Sequence, residues 1–233
     1  MPQALRSRRY RIRPDVGLPA STRSKISPVA ATFTKLVEDV VRPSTWTTTW
    51  LLGDEREVLV TDAPHDAAAA AEAVGNRRAV ALACTHAHND HLRVAPALAE
   101  RTNAPILLHP DDRVLWDLVH SDREPDGDLR DGQVIEVAGT SIHVVHTPGH
   151  APGAVCFSVP DLGVVFSGDT LFAGGPGATG RSYSSFPTIL DSIRARLFAL
   201  PPETRRACCP ATATRRRSAP RPRRTTSGCG RGS

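Results

Sequence analysis

The chain has 233 residues, of which 40% are hydrophobic and 5% aromatic, and this composition is typical of one sizeable globular domain with a buried core. Its net charge of +5 is modest, and no apolar run approaches the roughly 20 residues that a membrane-spanning helix needs. The basic N-terminus lacks the apolar segment of a secretory signal, so we expect a cytoplasmic protein without a membrane segment.

The charge is distributed unevenly along the chain. Residues 1–28 carry seven basic residues and one acidic residue, and residues 207–233 carry seven arginines and no acidic residue. Both ends are predicted to be disordered and to flank one domain at residues 29–206. Basic ends can bind nucleic acid, but neither end interleaves aromatic residues with its charges. Because the central domain is acidic, we expect a small-molecule substrate and no nucleic-acid partner.

The pattern of apolar residues becomes that of a folded protein from residue 29 onward. Trp50–Leu52 and Val58–Asp62 predict a β-hairpin, and Asp66 caps a predicted helix that ends at Gly75. The segments that follow are predicted, in order, as a strand (80–85), a helix (92–101), a strand (106–109), a helix (111–119), four strands (134–137, 142–146, 154–159 and 164–167), a long loop (173–187) and a helix (187–200). This order of elements favours a layered α/β architecture.

A cluster of candidate metal ligands follows the predicted strand 80–85 within six positions, and its members are His86, His88, Asp90 and His91. In extended backbone His86 and His88 point to the same side of the chain. Imidazoles and a carboxylate crowded together are costly without a cation, which favours a metal-binding loop. The alternatives are a polar surface turn, or one histidine with satisfied hydrogen bonds beside an aspartate that caps a helix.

Two later segments present further ligands at the ends of predicted strands. His146–Gly153 is a turn rich in glycine and proline that presents His150, and Phe166–Phe172 places Asp169 directly after a strand and a glycine. A histidine in such a turn is often structural. Together with the first cluster, however, His150 and Asp169 favour a metal centre that is assembled from three loops.

These three motifs resemble those of the metallo-β-lactamase superfamily, in particular the glyoxalase II-like hydrolases. The resemblance implies an α/β fold of four layers, an αββα sandwich in which two mixed β-sheets face each other and helices lie outside. It also implies two divalent metal ions. One ion would be bound by His86, His88 and His150, the other by Asp90 and His91, and Asp169 would bridge the two. Zn²⁺ is the expected ion, and Fe or Mn²⁺ also suits these ligands.

The resemblance extends to residues around the ligands. Asp62 matches an aspartate that ends an early strand and supports the metal loop through hydrogen bonds, although an ordinary aspartate at a strand end explains it equally well. Arg181 and Tyr183 resemble residues of a loop on the substrate side of the site. By resemblance they are expected to contact the substrate.

The implied chemistry is hydrolysis of a thioester or an ester. A water shared by two cations about 3.5–4 Å apart loses a proton near neutral pH and becomes a nucleophile, which Asp90 would orient. One alternative is an iron-dependent persulfide dioxygenase, which needs two histidines and one carboxylate as ligands. A second alternative is a degenerate scaffold with little activity, whose basic tail binds acidic partners.

The sequence departs from the family pattern at its C-terminal end. The family supplies one more histidine for the second ion in a Pro-Gly-His-Gly turn after the last long helix, whereas this chain has no histidine after His150. Read one base earlier, the codons of residues 208–214 permit Val-Leu-Pro-Gly-His-Gly-Asp. We therefore hypothesise that the tail from about Ala207 is a frame-shifted translation. In the chain as written, we expect the second metal site to be impaired.

Overall fold

A computed structural model of the chain describes residues 8–11, 32–37, 46–205, 207–210 and 212–213, with side chains from residue 47 to 205 and from 208 to 210. Most of the ends predicted to be disordered lie outside the described residues. The exceptions correct that prediction, because residues 8–11, 207–210 and 212–213 form β-strands. Their backbone groups are paired with neighbouring strands, which the charge of the ends did not indicate.

The first sheet contains the N-terminal half of the described chain. Its strands neighbour one another in chain order: β1 (Arg8–Arg11), β2 (Thr32–Val37), β3 (Trp46–Gly53), β4 (Glu57–Thr61), β5 (Arg78–Ala83), β6 (Ile106–Leu108) and β7 (Gly127–Asp128). Pairing is antiparallel from β1 to β4 and parallel from β4 to β7. The hairpin predicted between residues 50 and 62 is confirmed as β3 and β4.

The second sheet is built from the C-terminal half. Four antiparallel neighbours form most of it: β8 (Val134–Val137), β9 (Thr140–His146), β10 (Val155–Val159) and β11 (Val164–Gly168). A short hairpin follows, with strands β12 (Leu171–Phe172) and β13 (Gly175–Pro176). Strand β14 (Ala207–Pro210) then joins β11 in parallel, and β15 (Thr212–Ala213) returns to pair with β3 of the first sheet.

The helices are short, and their bounds differ in part from those predicted. They are α1 (Ala67–Val74), α2 (Asn89–Leu92), α3 (Ala95–Thr102), α4 (Arg113–Trp116) and α5 (Phe186–Ser192). The helix predicted at 92–101 is divided into α2 and α3, and Pro96 lies in the first turn of α3, where its missing N–H is tolerated. The C-terminal helix continues from α5 as a π-helical segment, Ile193–Leu197. None of the described helices is long and apolar enough to cross a bilayer.

Three buried clusters hold four layers together. Between the sheets, apolar side chains of β3–β5 meet those of β8–β11, including Leu59, Phe157 and Phe166. On the outer face of the first sheet, α1 and α3 pack with Val74 and Leu98, and on the outer face of the second sheet the C-terminal helical segment packs with Ile189 and further apolar residues. The predicted αββα sandwich is therefore confirmed.

The carboxyl ends of the central strands meet at one edge of this sandwich. In the first sheet β4, β5 and β6 run parallel, so Asp62, His86 and His109 all follow strand ends on the same side. In the second sheet β9, β11 and β14 run in one direction and end near that edge. The N–H of Val155 donates to the carbonyl oxygen of Thr85, 2.8 Å away, and joins the two sheets there.

Candidate metal centre

The structure brings the predicted ligands together in two overlapping groups. The ligand atoms of His86, His88 and His150 lie within 4.8 Å of one another, and so do those of His86, His91 and Asp169. Nδ1 of His88 is 3.0 Å from Nε2 of His150, although the two residues are 62 positions apart in the chain. His86 belongs to both groups and lies between them.

The conformation of the loop after β5 brings its three histidines into the metal-binding groups but leaves Asp90 outside them. His86 is fully buried, and His88 keeps an extended backbone as it begins α2, so both rings reach the first group. The helical turn of α2 then carries His91 into the interior, where none of its surface is exposed. Asp90 is one residue earlier and therefore about 100° away around the helix axis. It is half-buried and lies outside both groups, so its role as a ligand stays a prediction.

Gly149 allows the turn that presents His150. Its φ of +131° lies in a region that L side chains rarely adopt, and a Cβ at this position would lie 2.3 Å from the backbone nitrogen of Ile189. The following residue, His150, directs Nδ1 toward the carbonyl oxygen of Ala178 at 2.7 Å. This hydrogen bond fixes the ring and leaves Nε2 directed at His88 and Asp169.

Asp169 lies between the two groups of imidazoles. Its Oδ1 is 3.5 Å from Nε2 of His91, and its Oδ2 is 3.8 Å from Nε2 of His150. Two ligands at about 2 Å from one tetrahedral ion are separated by roughly 3.3 Å, so a small movement would place His91 and Asp169 on the same ion. The carboxylate therefore lies close to an imidazole of each group, and its role as a bridge between two ions stays a prediction.

Asp62 is bonded to the loop at residues 85–91, which contains the candidate ligands and is here called the metal loop. One carboxylate oxygen accepts the backbone N–H of Thr85 at 2.7 Å, and the other accepts the Thr85 hydroxyl at 2.9 Å and lies 3.1 Å from Nδ1 of His91. Asp62 is completely buried and has a left-handed backbone, with φ of +57°. A carboxylate that accepts Nδ1–H leaves Nε2 free to bind a metal, which is how many metal-binding histidines are oriented.

His86 provides an independent observation in favour of a cation. Its Nδ1 lies 3.1 Å from the Thr85 hydroxyl oxygen, whereas its Nε2 is buried and has no hydrogen-bond partner. A buried polar atom without a partner costs free energy of about 1–3 kcal/mol. Three imidazoles that converge within 4.8 Å, one of them with an unpartnered nitrogen, are a donor set that fits a divalent ion.

The pKa values are lowered for the histidines of the first group and raised for His91. Burial lowers the pKa of His86 well below its usual range and that of His88 to about 4, and the neighbouring imidazoles add to both effects. Burial likewise lowers the pKa of His150. Burial alone would lower the pKa of His91 too, but the charge of Asp169 and hydrogen bonds to Asp169 and Asp62 raise it well above its usual range. The first group is thus neutral at pH 7, the form that binds metals.

Asp112 supports the site, but no signal in the sequence pointed to it beyond the acidic start of a helix. Its two carboxylate oxygens accept the backbone N–H of Ala87 at 2.7 Å and that of Gly153 at 2.5 Å. It thereby ties the metal loop to the turn that carries His150. Burial raises the pKa of Asp112 to about 6, although these hydrogen bonds act in the opposite direction.

A third group of possible ligands lies outside this centre. His109, Asp111 and His146 have ligand atoms within 4.8 Å of one another. The rings of His109 and His146 are stacked, however, with centroids 4.0 Å apart and planes only 13° from parallel. An imidazole binds an ion in the plane of its ring, and one ion cannot lie in two parallel planes. This group is therefore a packing contact in the present arrangement.

Arg181 and Tyr183, predicted to contact the substrate, lie in the loop after Asp169. Both are exposed and neither belongs to the metal-binding groups. Burial is the main cause of the lowered pKa of His88, and the positive charge of Arg181 adds to it.

The strand that should carry the last ligand is present without its histidine. Strand β14 runs beside β11 and places Pro210 opposite Gly168, next to Asp169. The residues that follow are Ala211 and Thr212, and the sequence contains no histidine beyond His150. Strand β14 therefore ends beside the strand that leads to Asp169, and no histidine follows it in the sequence.

The chain is similar to several known proteins in sequence and in fold. Hydroxyacylglutathione hydrolase of Pseudomonas aeruginosa is 35% identical over 166 residues, which are 68% of this chain and 59% of that enzyme, so the chain spans less than two thirds of its length. The crystal structure of TTHA1623 in a di-iron-bound form is 26% identical, with a TM-score of 0.62 over 76% of this chain and 93% of that one. ETHE1 from Myxococcus xanthus shares the fold, with 24% identity and a TM-score of 0.63 over 78% and 77% of the two chains.

The family assignment rests on the length of the match and on the agreement of the fold. The family model of the metallo-beta-lactamase superfamily matches residues 47–209, a range that includes β4 to β13 and all the candidate ligands. The chain belongs to the metallo-β-lactamase superfamily.

Proposed function

We propose that the chain is a metal-dependent hydrolase that cleaves a thioester or an ester. The observation that carries this proposal is the buried, unpartnered Nε2 of His86 at the centre of converging imidazoles. The named activity of the Pseudomonas aeruginosa relative supports a thioester as the substrate class. The dinuclear iron form of a solved neighbour supports metal binding by this fold.

Two sets of residues would bind the two ions. His86, His88 and His150 would hold the first ion, and His91 and Asp169 would contribute to the second. A divalent ion at this position would act as a Lewis acid that polarises a carbonyl group and lowers the pKa of water. Zn²⁺, Fe and Mn²⁺ all suit these donors.

We propose that Asp90 accepts the proton of the attacking water. Burial lowers the pKa of both His88 and His150, and the negative charge of the half-buried Asp90 opposes this effect. Asp90 directly precedes His91 but belongs to neither metal-binding group. In the proposed reaction Asp90 accepts a proton from the attacking water. The water oxygen bonds to the acyl carbon, the C–S or C–O bond breaks, and the leaving thiolate or alkoxide takes up the proton.

The second ion should be held weakly in the chain as written. His91 and Asp169 are positioned for it, but His86 is shared with the first group, and an imidazole nitrogen binds one ion at a time. No histidine follows β14. We therefore propose near-complete occupancy of one ion and partial occupancy of the other.

Metal content and thioester hydrolysis, measured together on the full chain, test this proposal. After loading with Zn²⁺, we expect about one tightly bound ion per chain and hydrolysis of a hydroxyacylglutathione thioester. The variants His88→Gln and His150→Gln should no longer bind the ion, and their activity should fall by at least about 100-fold. His143→Gln is the matched control, because His143 lies half-buried on β9 outside every group. Unchanged metal content and activity in the first two variants would contradict the proposal.

A specific observation also favours a second candidate, an iron-dependent persulfide dioxygenase. The second group consists of two histidines and one carboxylate, His86, His91 and Asp169, the ligand set of many non-haem iron oxygenases. In this case the chain loaded with Fe²⁺ would consume dioxygen in the presence of a thiol persulfide. The zinc-loaded chain would consume none. Absence of oxygen uptake by the iron form would exclude this candidate.

A further inference from the structure

A buried pair of hydroxyl groups connects the two turns that carry His150 and Asp169. Oγ1 of Thr147 lies 2.9 Å from Oγ1 of Thr170, although the two residues are 23 positions apart in the chain. Thr147 is completely buried and Thr170 is 1% exposed. Hydroxyl groups that are removed from water must bond to protein groups, so this contact replaces hydrogen bonds that solvent would provide.

The hydroxyl pair spans two strands that are not neighbours. Thr147 directly follows β9 and Thr170 lies two residues after the end of β11, and both strands pair with β10, which runs between them. Sγ of Cys156, in β10, is 3.3 Å from Oγ1 of Thr147. Adjacent strands are about 4.8 Å apart, so strands on either side of a third are about 10 Å apart. The hydroxyl contact therefore fixes the separation of two turns that do not share a strand pair.

Every polar group of Thr170 is used to hold the turn at Asp169. The N–H of Thr170 donates to the carbonyl oxygen of Ser167 at 3.0 Å, and its carbonyl oxygen accepts the N–H of Gly177 at 3.1 Å. The contact with the Thr147 hydroxyl is the third of these bonds. Asp169 directly precedes Thr170, so the side chain of Thr170 anchors the backbone from which the carboxylate extends.

The turn that carries His150 has further supports that do not depend on the hydroxyl pair. The N–H of Gly153 donates to the carboxylate of Asp112, and the Ser192 hydroxyl donates to the carbonyl oxygen of Pro148 at 2.7 Å. Loss of the hydroxyl contact should therefore move the turn of Asp169 more than that of His150.

We propose that the hydroxyls of Thr147 and Thr170 form a positioning pair, which places the carboxylate of Asp169 beside the histidines and so determines how tightly the second ion binds. This inference rests on the metal centre of the proposed function. Nε2 of His150 and Oδ2 of Asp169 are now 3.8 Å apart, and they come from the two turns that the pair joins. Only the second group contains a ligand from the turn after β11, so only that group depends directly on the pair.

Valine substitutions test the pair, because valine keeps the shape of threonine and lacks the hydroxyl. Thr170→Val leaves the hydroxyl of Thr147 buried without this partner, and Thr147→Val does the same to Thr170. The full chain, freed of metal, is titrated with Co²⁺, whose visible absorption reports each ion as it binds. Each variant should bind the second ion at least about tenfold more weakly and the first ion within about threefold of the unchanged chain. Thr170→Ser, which retains the hydroxyl, should restore most of the affinity.

The double variant tests whether the two hydroxyls act as one unit. Removal of both leaves neither hydroxyl without its partner, so Thr147→Val combined with Thr170→Val should weaken binding of the second ion no more than either single variant. Single effects that multiply in the double variant would overturn the proposal. Equal losses of affinity for both ions, or an unchanged chain that binds only one Co²⁺ ion, would overturn it too.

Thr102→Val is the matched control for the loss of one hydroxyl bond. The Thr102 hydroxyl donates to the carbonyl oxygen of Leu98 at 2.8 Å within α3, and Thr102 belongs to neither metal-binding group. This variant should retain both Co²⁺ affinities, even where urea denaturation shows a loss of stability similar to that of Thr170→Val. An equal effect of Thr102→Val on the second ion would overturn the assignment. If the Thr147 and Thr170 variants behave as expected but no thioester is hydrolysed, the proposed activity fails while the positioning role stands.

Discussion

The carboxylate of Asp62 lies 3.1 Å from Nδ1 of His91, and both side chains are completely buried. Asp62 follows β4 and His91 lies in α2, so this contact joins the end of one central strand to the helix that follows its neighbour. The same carboxylate accepts two hydrogen bonds from Thr85. One aspartate therefore fixes both the path of the metal loop and the orientation of one ligand.

The first prediction concerns this carboxylate. Asp62→Asn replaces one acceptor oxygen by an NH₂ group, which would face the N–H of His91 or a donor of Thr85. We expect metal affinity to fall by about 10- to 100-fold and the free energy of unfolding to fall by about 1–3 kcal/mol. Competition with a fluorescent chelator and urea denaturation measure the two effects.

The control for this variant is Asp66→Asn. Asp66 caps α1 by accepting the N–H groups of Ala68 and Ala69, and asparagine is an equally good N-cap. This variant should retain the metal affinity of the unchanged chain. If Asp62→Asn also retained it, Asp62 would have no role in orienting His91.

A second prediction uses two glycines with similar backbones. Gly168 has a φ of +52°, and a Cβ there would lie 2.8 Å from Cβ of Thr85, whereas Gly132 has a φ of +76° and open space around it. Gly168→Ala should destabilise the fold by at least about 2 kcal/mol more than Gly132→Ala, because only the former adds a clash to the backbone strain. Thermal and urea denaturation of both variants measure this difference. Equal losses would show that Thr85 moves aside without cost.

The third prediction concerns pH. The pKa of Asp112 is raised from 3.8 to about 6 in the folded state, so the folded state binds a proton that the unfolded state has lost between these values. Stability contributed by this group is therefore present at low pH and is lost as the pH rises through this window, by about 3 kcal/mol in total. Urea denaturation of the chain without metal, between pH 3.5 and 7, measures the slope.

Asp112→Asn isolates this contribution from other groups that titrate in the same range. The amide cannot ionise, so the stability difference between the unchanged chain and the variant should shrink as the pH rises. The variant should also be less stable at low pH, because its NH₂ group faces the N–H of Ala87 or of Gly153. A difference that is constant with pH would contradict the assigned direction of the pKa.

The fourth prediction restores the missing ligand. Ala211→Gly combined with Thr212→His places a histidine at the first residue of β15, two positions after Pro210, which lies opposite Gly168. We expect the number of bound Zn²⁺ ions to rise from about one toward two per chain, with a gain in hydrolysis. Elemental analysis after dialysis against a weak chelator measures the number of ions.

A histidine at the opposite edge serves as the control for this restoration. Asn76 is exposed just before β5 begins, so Asn76→His adds an imidazole without approaching the centre. This variant should bind no additional ion. Equal metal content in the restored and unchanged chains would show that the second site lacks more than this one ligand.

The candidate ligands and the layered fold could be predicted from the sequence, because both predictions depend on local patterns. His86, His88 and His91 lie in one loop after an apolar strand, and His150 and Asp169 follow strands in the same way. Strand ends, turns and ligand spacing are properties of a few adjacent residues. Each family motif also lies within one short segment, so it can be recognised without the structure.

Local patterns could not predict which of these residues lie together or which side chains hold them in place. His86 belongs to both groups and Asp90 to neither, because Asp90 and His91 are consecutive in α2 and their side chains point about 100° apart around the helix axis. The carboxylate of Asp112 accepts a hydrogen bond from the N–H of Gly153, which is 41 positions away in the chain. Such contacts arise where strands of two sheets end at a common edge, and no local pattern in the sequence encodes a distance between sheets.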